Sequence, residues 1–161
     1  MKRFPLEPLS RVRDLRLEAE QRLVTACRAE LAQAEQRLEM ARKARGEVAD
    51  QRSRHQQACQ VAMSDPHTLV ADWFDRAERH RAWLDTAIAR GDAAIAGAVE
   101  DVARAQAKLA EQIAVLRRAQ AKVDALQAFR GEWQRGERRE QERQEEQASE
   151  ELFRAGTGTM G

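Results

Sequence analysis

The fold is decided by residues 84–126, which read LDTAIARGDAAIAGAVEDVARAQAKLAEQIAVLRRAQAKVDAL. Large aliphatic residues recur here at a spacing of seven: Ile88, Ile95, Val102, Leu109, Leu116 and Val123. A repeat of seven sustained this long is typical of a coiled-coil seam, because it keeps one side of a helix facing a partner helix. With these residues at position a, position d holds mostly small residues: Leu84, Gly91, Ala98, Ala105, Gln112, Ala119, Leu126 and Trp133. Two helix backbones are therefore expected to approach closely.

The first half of the chain carries a matching stripe. Its apolar residues recur about every 3.5 positions: Leu9, Val12, Leu15, Ala19, Leu23 (beside Val24), Cys27, Leu31, Ala34, Leu38, Ala41 and Val48. Pro66 separates the two stripes, and Ser64 or Asp65 can cap a helix that starts there. We predict an all-α fold, a long antiparallel two-helix coiled-coil hairpin in one domain over residues 1–154. Its parts are arms over about 8–62 and 66–153, a turn over about 63–66 and a disordered tail over 155–161.

The two predicted arms differ in length. A short turn makes them antiparallel and sets these pairs side by side: Val48 with Leu84, Leu31 with Val102, and Leu9 with Val123. Residues 124–153 of the second arm then overhang the first arm by about 45 Å, without an intrachain partner. An isolated helix is marginal in water, yet Leu126, Phe129 and Trp133 lie in this overhang. We therefore expect another protein to surround it.

Composition favours a thin molecule and excludes several classes of function. Only 42% of the 161 residues are hydrophobic, 34% are charged, and there is no Tyr. The net charge of +1 is not that of a polycation that binds nucleic acid. No apolar run is long enough for a membrane span, so we expect a cytoplasmic protein without a cleaved signal. Cys27 and Cys59 are too few for a disulfide framework and are expected to be reduced.

Charge and aromatic residues are concentrated at the two ends of the predicted hairpin. A basic collar is expected at the open end, formed by Arg11, Arg13, Arg16, Arg117, Arg118 and Lys122. Beyond it, residues 137–151 hold seven Glu and three Arg. Near the turn, the aromatic residues Trp73, Phe74 and Trp83 are a candidate docking surface. The alternatives are solvated charged faces at the open end and aromatic residues that merely fill the tip.

No catalytic motif is present in the sequence. It lacks a phosphate-binding loop, a dinucleotide fingerprint, HExxH and CxxC. His55, His67 and His80 lack metal-ligand spacing and are expected to face solvent or lie in the turn. We therefore expect a noncatalytic protein with no cofactor and no metal.

The chain resembles the central stalk proteins of type III secretion ATPases, the FliJ, YscO and SctO family. The resemblance rests on Leu9-x-x-Val12-x-x-Leu15-Arg16, on residues 83–88 (WLDTAI), on residues 126–129 (LQAF) and on the tail over residues 146–153 (EQASEELF). It implies a hairpin similar to the rotor-shaft helices of the gamma subunit of F-type ATP synthases. The open end would enter and stimulate a hexameric secretion ATPase. The turn end would touch the cytoplasmic ring of the export gate, at the cytoplasmic face of the secretion apparatus.

The resemblance also assigns residues to these partners. Together with the charge pattern and the overhang, it predicts an ATPase-binding set: Leu9, Arg13, Leu15, Arg16, Arg117, Arg118, Trp133, Gln147, Glu151 and Leu152. The residues expected to bind the export gate are Trp73, Phe74 and Trp83. Two alternatives are a self-associating coiled-coil scaffold, in which overhangs pair between chains, and an escort for export chaperones. If the chain is a stalk, we expect it to be a monomer in isolation and not to insert into a membrane.

Overall fold

The structure, a computed structural model, describes residues 2–65, 67 and 71–158. They form two α-helices, α1 over Glu7–Met63 and α2 over Ala71–Gly158, and no strand occurs in these residues. The helices divide into two compact units. The terminal unit comprises Met1–Val24 and Gln112–Gly161, and the turn unit comprises Thr25–Glu111.

The two helices are antiparallel in the turn unit, as cross-helix ion pairs show. Arg52 Nε lies 2.8 Å from a carboxylate oxygen of Asp85. Two further ion pairs, each at 2.9 Å, join Arg45 to Asp92 and Lys108 to Glu30. Residues earlier in α1 thus pair with residues later in α2, as antiparallel helices require. The hydrogen bond to Glu30 and the negative charge of that residue raise the pKa of Lys108. The predicted all-α hairpin is confirmed.

The register differs from the predicted one by about one helical turn. The ion pairs of Arg45 and Arg52 place Val48 beside a part of α2 that begins beyond Leu84, its predicted neighbour. The difference follows from where the two helices end and begin. The sequence predicted a turn of four residues, whereas α1 ends at Met63 and α2 begins at Ala71.

The helix ends also differ from the sequence prediction. Ser64 does not cap the second helix: its hydroxyl donates to the carbonyl oxygen of Val61, at 2.7 Å, and so closes the end of α1. Asp65 accepts a hydrogen bond from the backbone N–H of His67. Pro66, the predicted start of the second arm, lies outside the described residues. Residues 155–158, predicted to be disordered, are helical, and residues 159–161 also lie outside the described part.

The predicted seam forms the core along α2 and, in α1, from Cys27 onward. All predicted a and d positions of α2 are buried or half-buried, and Leu84 is fully buried. The facing stripe of α1 from Cys27 to Val48 is likewise buried or half-buried. Small residues in this core permit a close approach: a Cβ atom added at Gly91 would lie 2.8 Å from Cγ of Arg45 and 3.0 Å from its Cβ. The base of the Arg45 side chain therefore limits the size of the side chain at position 91.

Two glycine substitutions in α2 test this close approach. Gly97→Ala should raise the free energy of unfolding by about 0.5–1 kcal/mol, because alanine is the better helix former and the added Cβ meets nothing within 4 Å. Gly91→Ala should lose this gain and destabilise the chain, because the base of Arg45 has to move. Urea denaturation followed by circular dichroism measures both. Equal stabilisation by the two variants would contradict close packing at Gly91.

Candidate functional site

The terminal unit ends in an aromatic contact that the sequence did not reveal. Phe4 precedes α1 and is only 6% exposed. Its ring centroid lies 5.6 Å from that of Trp133 and 6.0 Å from that of Phe129. The guanidinium of Arg130 lies 5.7 Å from the centroid of the Phe4 ring, in a cation–π contact. The carbonyl oxygen of Phe4 accepts a hydrogen bond from Glu7 N–H, so a turn before α1 holds the ring on α2.

Ion pairs extend the contact between the N-terminal residues and α2. Glu7 pairs with Arg130 at 3.2 Å, and Lys2 pairs with Glu137 at 3.8 Å. The prediction that residues 124–153 have no intrachain partner is therefore wrong for 124–137. The first arm reaches further than expected because Lys2 and Phe4, which precede the helix, also contact α2. In α2, every residue over 142–158 is exposed, and we call this segment the free end.

The seam of α1 in the terminal unit runs along a different face from the predicted one. Four apolar residues assigned to the seam are instead exposed, by 39%, 60%, 64% and 50% of their surface: Leu9, Val12, Leu15 and Leu23. We call these four residues the outer stripe. The half-buried or buried positions, also at alternating spacings of three and four, are Ser10, Arg13, Leu17, Glu20 and Val24.

Cross-helix hydrogen bonds explain why polar residues can occupy this seam. Arg13 Nη1 donates to the carbonyl oxygen of Lys122 at 3.0 Å, and the Gln112 amide donates to the Glu20 carboxylate. Polar groups that are partly removed from water are tolerated when they are hydrogen-bonded. The outer stripe, which lies one position before this seam, or two positions in the case of Leu15, is consequently left exposed.

The structure separates the predicted ATPase-binding residues into two classes. Arg13 and Trp133 are half-buried and contact the same chain. The others are exposed: Leu9, Leu15, Arg16, Arg117, Arg118, Gln147, Glu151 and Leu152. Among the described residues, no ion pair involves Arg16, Arg117 or Arg118. The terminal unit therefore presents exposed leucines together with cations that lack an acidic partner in the described chain.

The predicted aromatic cluster of the turn unit consists of two separate contacts. The rings of Trp73 and Phe74 lie 5.3 Å apart, edge to face. Trp83 instead stacks on His80, at 5.9 Å and an interplanar angle of 11°. Phe74 is 46% exposed and Trp83 is 60% exposed, whereas Trp73 is half-buried. The turn unit thus offers two exposed aromatic side chains in different surroundings.

His55 lies between these contacts, whereas the sequence predicts a histidine that faces solvent or lies in the turn. It is half-buried, and its ring lies 4.7 Å from that of His80. His55 Nε2 lies 3.0 Å from the carbonyl oxygen of Ala77 and 3.5 Å from Cys59 Sγ. The available signal was spacing: Arg52, His55 and Cys59 continue the alternation of three and four from Val48, so the seam persists through this polar segment.

The described residues offer neither a membrane-spanning helix nor a metal-binding cluster. No helix in them is both long enough and apolar enough to cross a membrane. No group of three or more His, Cys, Asp or Glu side chains in them is arranged to hold a metal ion. Cys27 and Cys59 are free thiols, the first buried and the second half-buried.

Comparison with known proteins identifies the family. The model of a family described as YscO-like protein matches residues 1–155. The chain belongs to the YscO-like family. This family is associated with type III secretion, so the chain is a type III secretion-associated protein in this general sense.

A solved structure shares the fold of this YscO-like protein. It is CT670 from Chlamydia trachomatis, described as a candidate YscO homologue. The two chains are 18% identical and superpose with a TM-score of 0.82, over 96% of this chain and 94% of the other. At this identity the likeness establishes the fold. No curated protein matches the sequence.

Removal of the Phe4 ring tests the contact that closes the terminal unit. Phe4→Ala should lower the free energy of unfolding by about 3–5 kcal/mol, because it leaves the faces of Phe129 and Trp133 uncovered. In a chain in which Trp73 and Trp83 are replaced by Phe, so that Trp133 is the remaining tryptophan, Phe4→Ala should also shift the fluorescence emission maximum to longer wavelength. Phe153→Ala is the matched control, because Phe153 is 75% exposed. Equal effects of the two substitutions would contradict the contact.

Proposed function

We propose that this YscO-like protein is a noncatalytic central stalk of a type III export apparatus, of the injectisome or the flagellar kind. Its terminal unit binds and stimulates the hexameric export ATPase. Its turn unit contacts the cytoplasmic ring of the export gate. The observation that carries the proposal is the exposed outer stripe in the same unit as the free end of α2.

Hydrophobic exposure supports a binding role for the terminal unit. Val12 and Leu15 on α1 are 60% and 64% exposed, and Leu152 on the free end is 75% exposed. Burial of one such side chain contributes about 1.5–3 kcal/mol. Adjacent exposed apolar residues are typical of protein–protein contacts. A partner that surrounds this unit would bury both helices at once.

Charge supports the same role. Arg16, Arg117 and Arg118 are exposed, and the free end carries Glu150 and Glu151. Exposed charges act over about 8–10 Å at physiological salt, so they can orient a partner that fits closely. In this proposal the stalk supplies contacts and charge. The ATPase supplies all nucleotide chemistry.

Removal of the free end tests binding to the ATPase. A chain of residues 1–141 retains the contacts of Phe4 and the Lys2–Glu137 ion pair. It should fold normally but stimulate ATP hydrolysis by the cognate export ATPase much less than the full chain. A shorter chain ending at residue 123 would be a poor test, because it also removes the partners of Phe4. Undiminished stimulation by residues 1–141 would exclude the free end from the binding surface.

A paired substitution tests the outer stripe in the full chain. Val12→Ser with Leu15→Ser should weaken apparent affinity for the ATPase by about tenfold or more, because burial of both side chains is lost. Met40→Ser is the control, since Met40 is 65% exposed but lies in the turn unit. Titration of ATPase turnover measures both, and similar titrations for the two chains would count against the stripe.

The export-gate contact is tested in the turn unit. Phe74→Ala and Trp83→Ala should each weaken binding to the isolated cytoplasmic ring of the gate, because exposed aromatic residues often dominate interface energies. Neither should change ATPase stimulation, since both residues belong to the other unit. Val99→Ala, at a residue that is 45% exposed, is the control. If neither variant alters binding measured by calorimetry, these residues do not contact the gate.

A further inference from the structure

Two features of the terminal unit complement each other. The outer stripe presents Val12 and Leu15 next to the exposed cation Arg16. The free end presents Leu152 next to the exposed anion Glu151. We propose that the free end of one molecule packs on the outer stripe of a second copy, and that the free end of the second copy packs on the first.

Chain direction prevents the free end from reaching the stripe of its own molecule. In the terminal unit, α2 runs antiparallel to α1, because Arg130 pairs with Glu7 and Glu137 pairs with Lys2. Beyond Glu137 the helix continues without a break to Gly158. It therefore runs away from α1 of its own chain, and an α1 that accepts it belongs to another molecule.

The spacing of residues defines a register for this contact. Val12 and Leu15 are separated by three positions, as are Leu152 and Ala155. A parallel pairing that aligns Val12 with Leu152 also aligns Leu15 with Ala155, as a and d layers of a coiled coil. In a parallel coiled coil, the residue directly before position a of one helix is position g. It faces position e of the partner helix, which is the residue directly after the following position d. Glu151 then faces Arg16, which has the opposite charge.

The lengths of the two helices permit this arrangement. Leu152 lies about 22 Å along α2 beyond Glu137, at 1.5 Å per residue. Val12 lies about 8 Å along α1 beyond Glu7, and the ion pair of Glu7 with Arg130 places Glu7 about 10 Å from the level of Glu137 on α2. With Leu152 of one copy beside Val12 of the other, the Glu137 levels of the two copies are separated by about 4 Å, so the two N-terminal ends do not overlap. Twofold symmetry then forms the contact twice in each dimer.

This association goes beyond the stalk function and competes with it. It covers Leu15, Arg16 and Leu152, which the proposed function assigns to the ATPase. In the dimer, the surface that is proposed to bind the ATPase would therefore be covered. Its test requires no ATPase, so failure of the dimer and failure of the stalk function are distinguishable.

Sedimentation equilibrium of the full chain at low and high salt measures the association. We expect a monomer–dimer equilibrium that weakens with salt, because the facing charges are exposed. Leu152→Glu and Arg16→Glu should each weaken dimerisation by about tenfold or more. The exchanged pair, Arg16→Glu with Glu151→Arg, should restore it to within about threefold of the unsubstituted chain. Met40→Glu, in the turn unit, should leave it unchanged.

Cross-linking tests the register. A mixture of Val12→Cys chains with Leu152→Cys chains should form a disulfide-linked dimer under mild oxidation, because the two positions face each other in the proposed pair. Each variant alone, and a mixture of Met40→Cys with Leu152→Cys, should form no such link beyond the background of Cys27 and Cys59. A monomer at all concentrations would overturn the proposal. So would a dimer that is insensitive to Leu152→Glu and Arg16→Glu.

Discussion

Close packing of α1 against α2 within each unit is the constraint on which the structure depends. Neither helix has enough apolar surface for a thick core, and a lone helix is marginal in water. The small residues of the seam stabilise the pair of helices, because they let the two backbones approach closely and so bring many atoms into van der Waals contact. Gly91 beside Arg45 is the clearest case, since no room remains there for even a Cβ atom.

The seam also determines which residues are left exposed. In the terminal unit, hydrogen-bonded polar residues such as Arg13 and Glu20 occupy the contact between the helices. The leucines and valine of the outer stripe consequently face outward. Their exposure is thus a consequence of how the polar seam satisfies its hydrogen bonds. The same geometry that stabilises the unit leaves an apolar surface exposed.

Phe4 sets the boundary between the paired and the free parts of α2. Together with the ion pairs of Lys2 and Glu7, it extends the paired region to Glu137. The terminal unit therefore presents a completed aromatic contact and a shorter free helix than the arm lengths predicted. In the turn unit, His55 has a comparable role, since its ring and that of His80 bring the helices together near Trp83.

The sequence by itself determined the helical fold, the seam of α2 and most of the seam of α1. A spacing of seven residues, kept from Ile88 to Val123, has one simple structural solution, a helix packed along one side against a partner helix. The tertiary structure decided the register, the seam face before Cys27 and the extent of the free end. Two neighbouring stripes of α1 have nearly the same period, so periodicity cannot choose between Leu9 and Ser10. Hydrogen bonds across the helices make that choice. The Phe4 contact joins residues more than a hundred positions apart, and no local pattern encodes it.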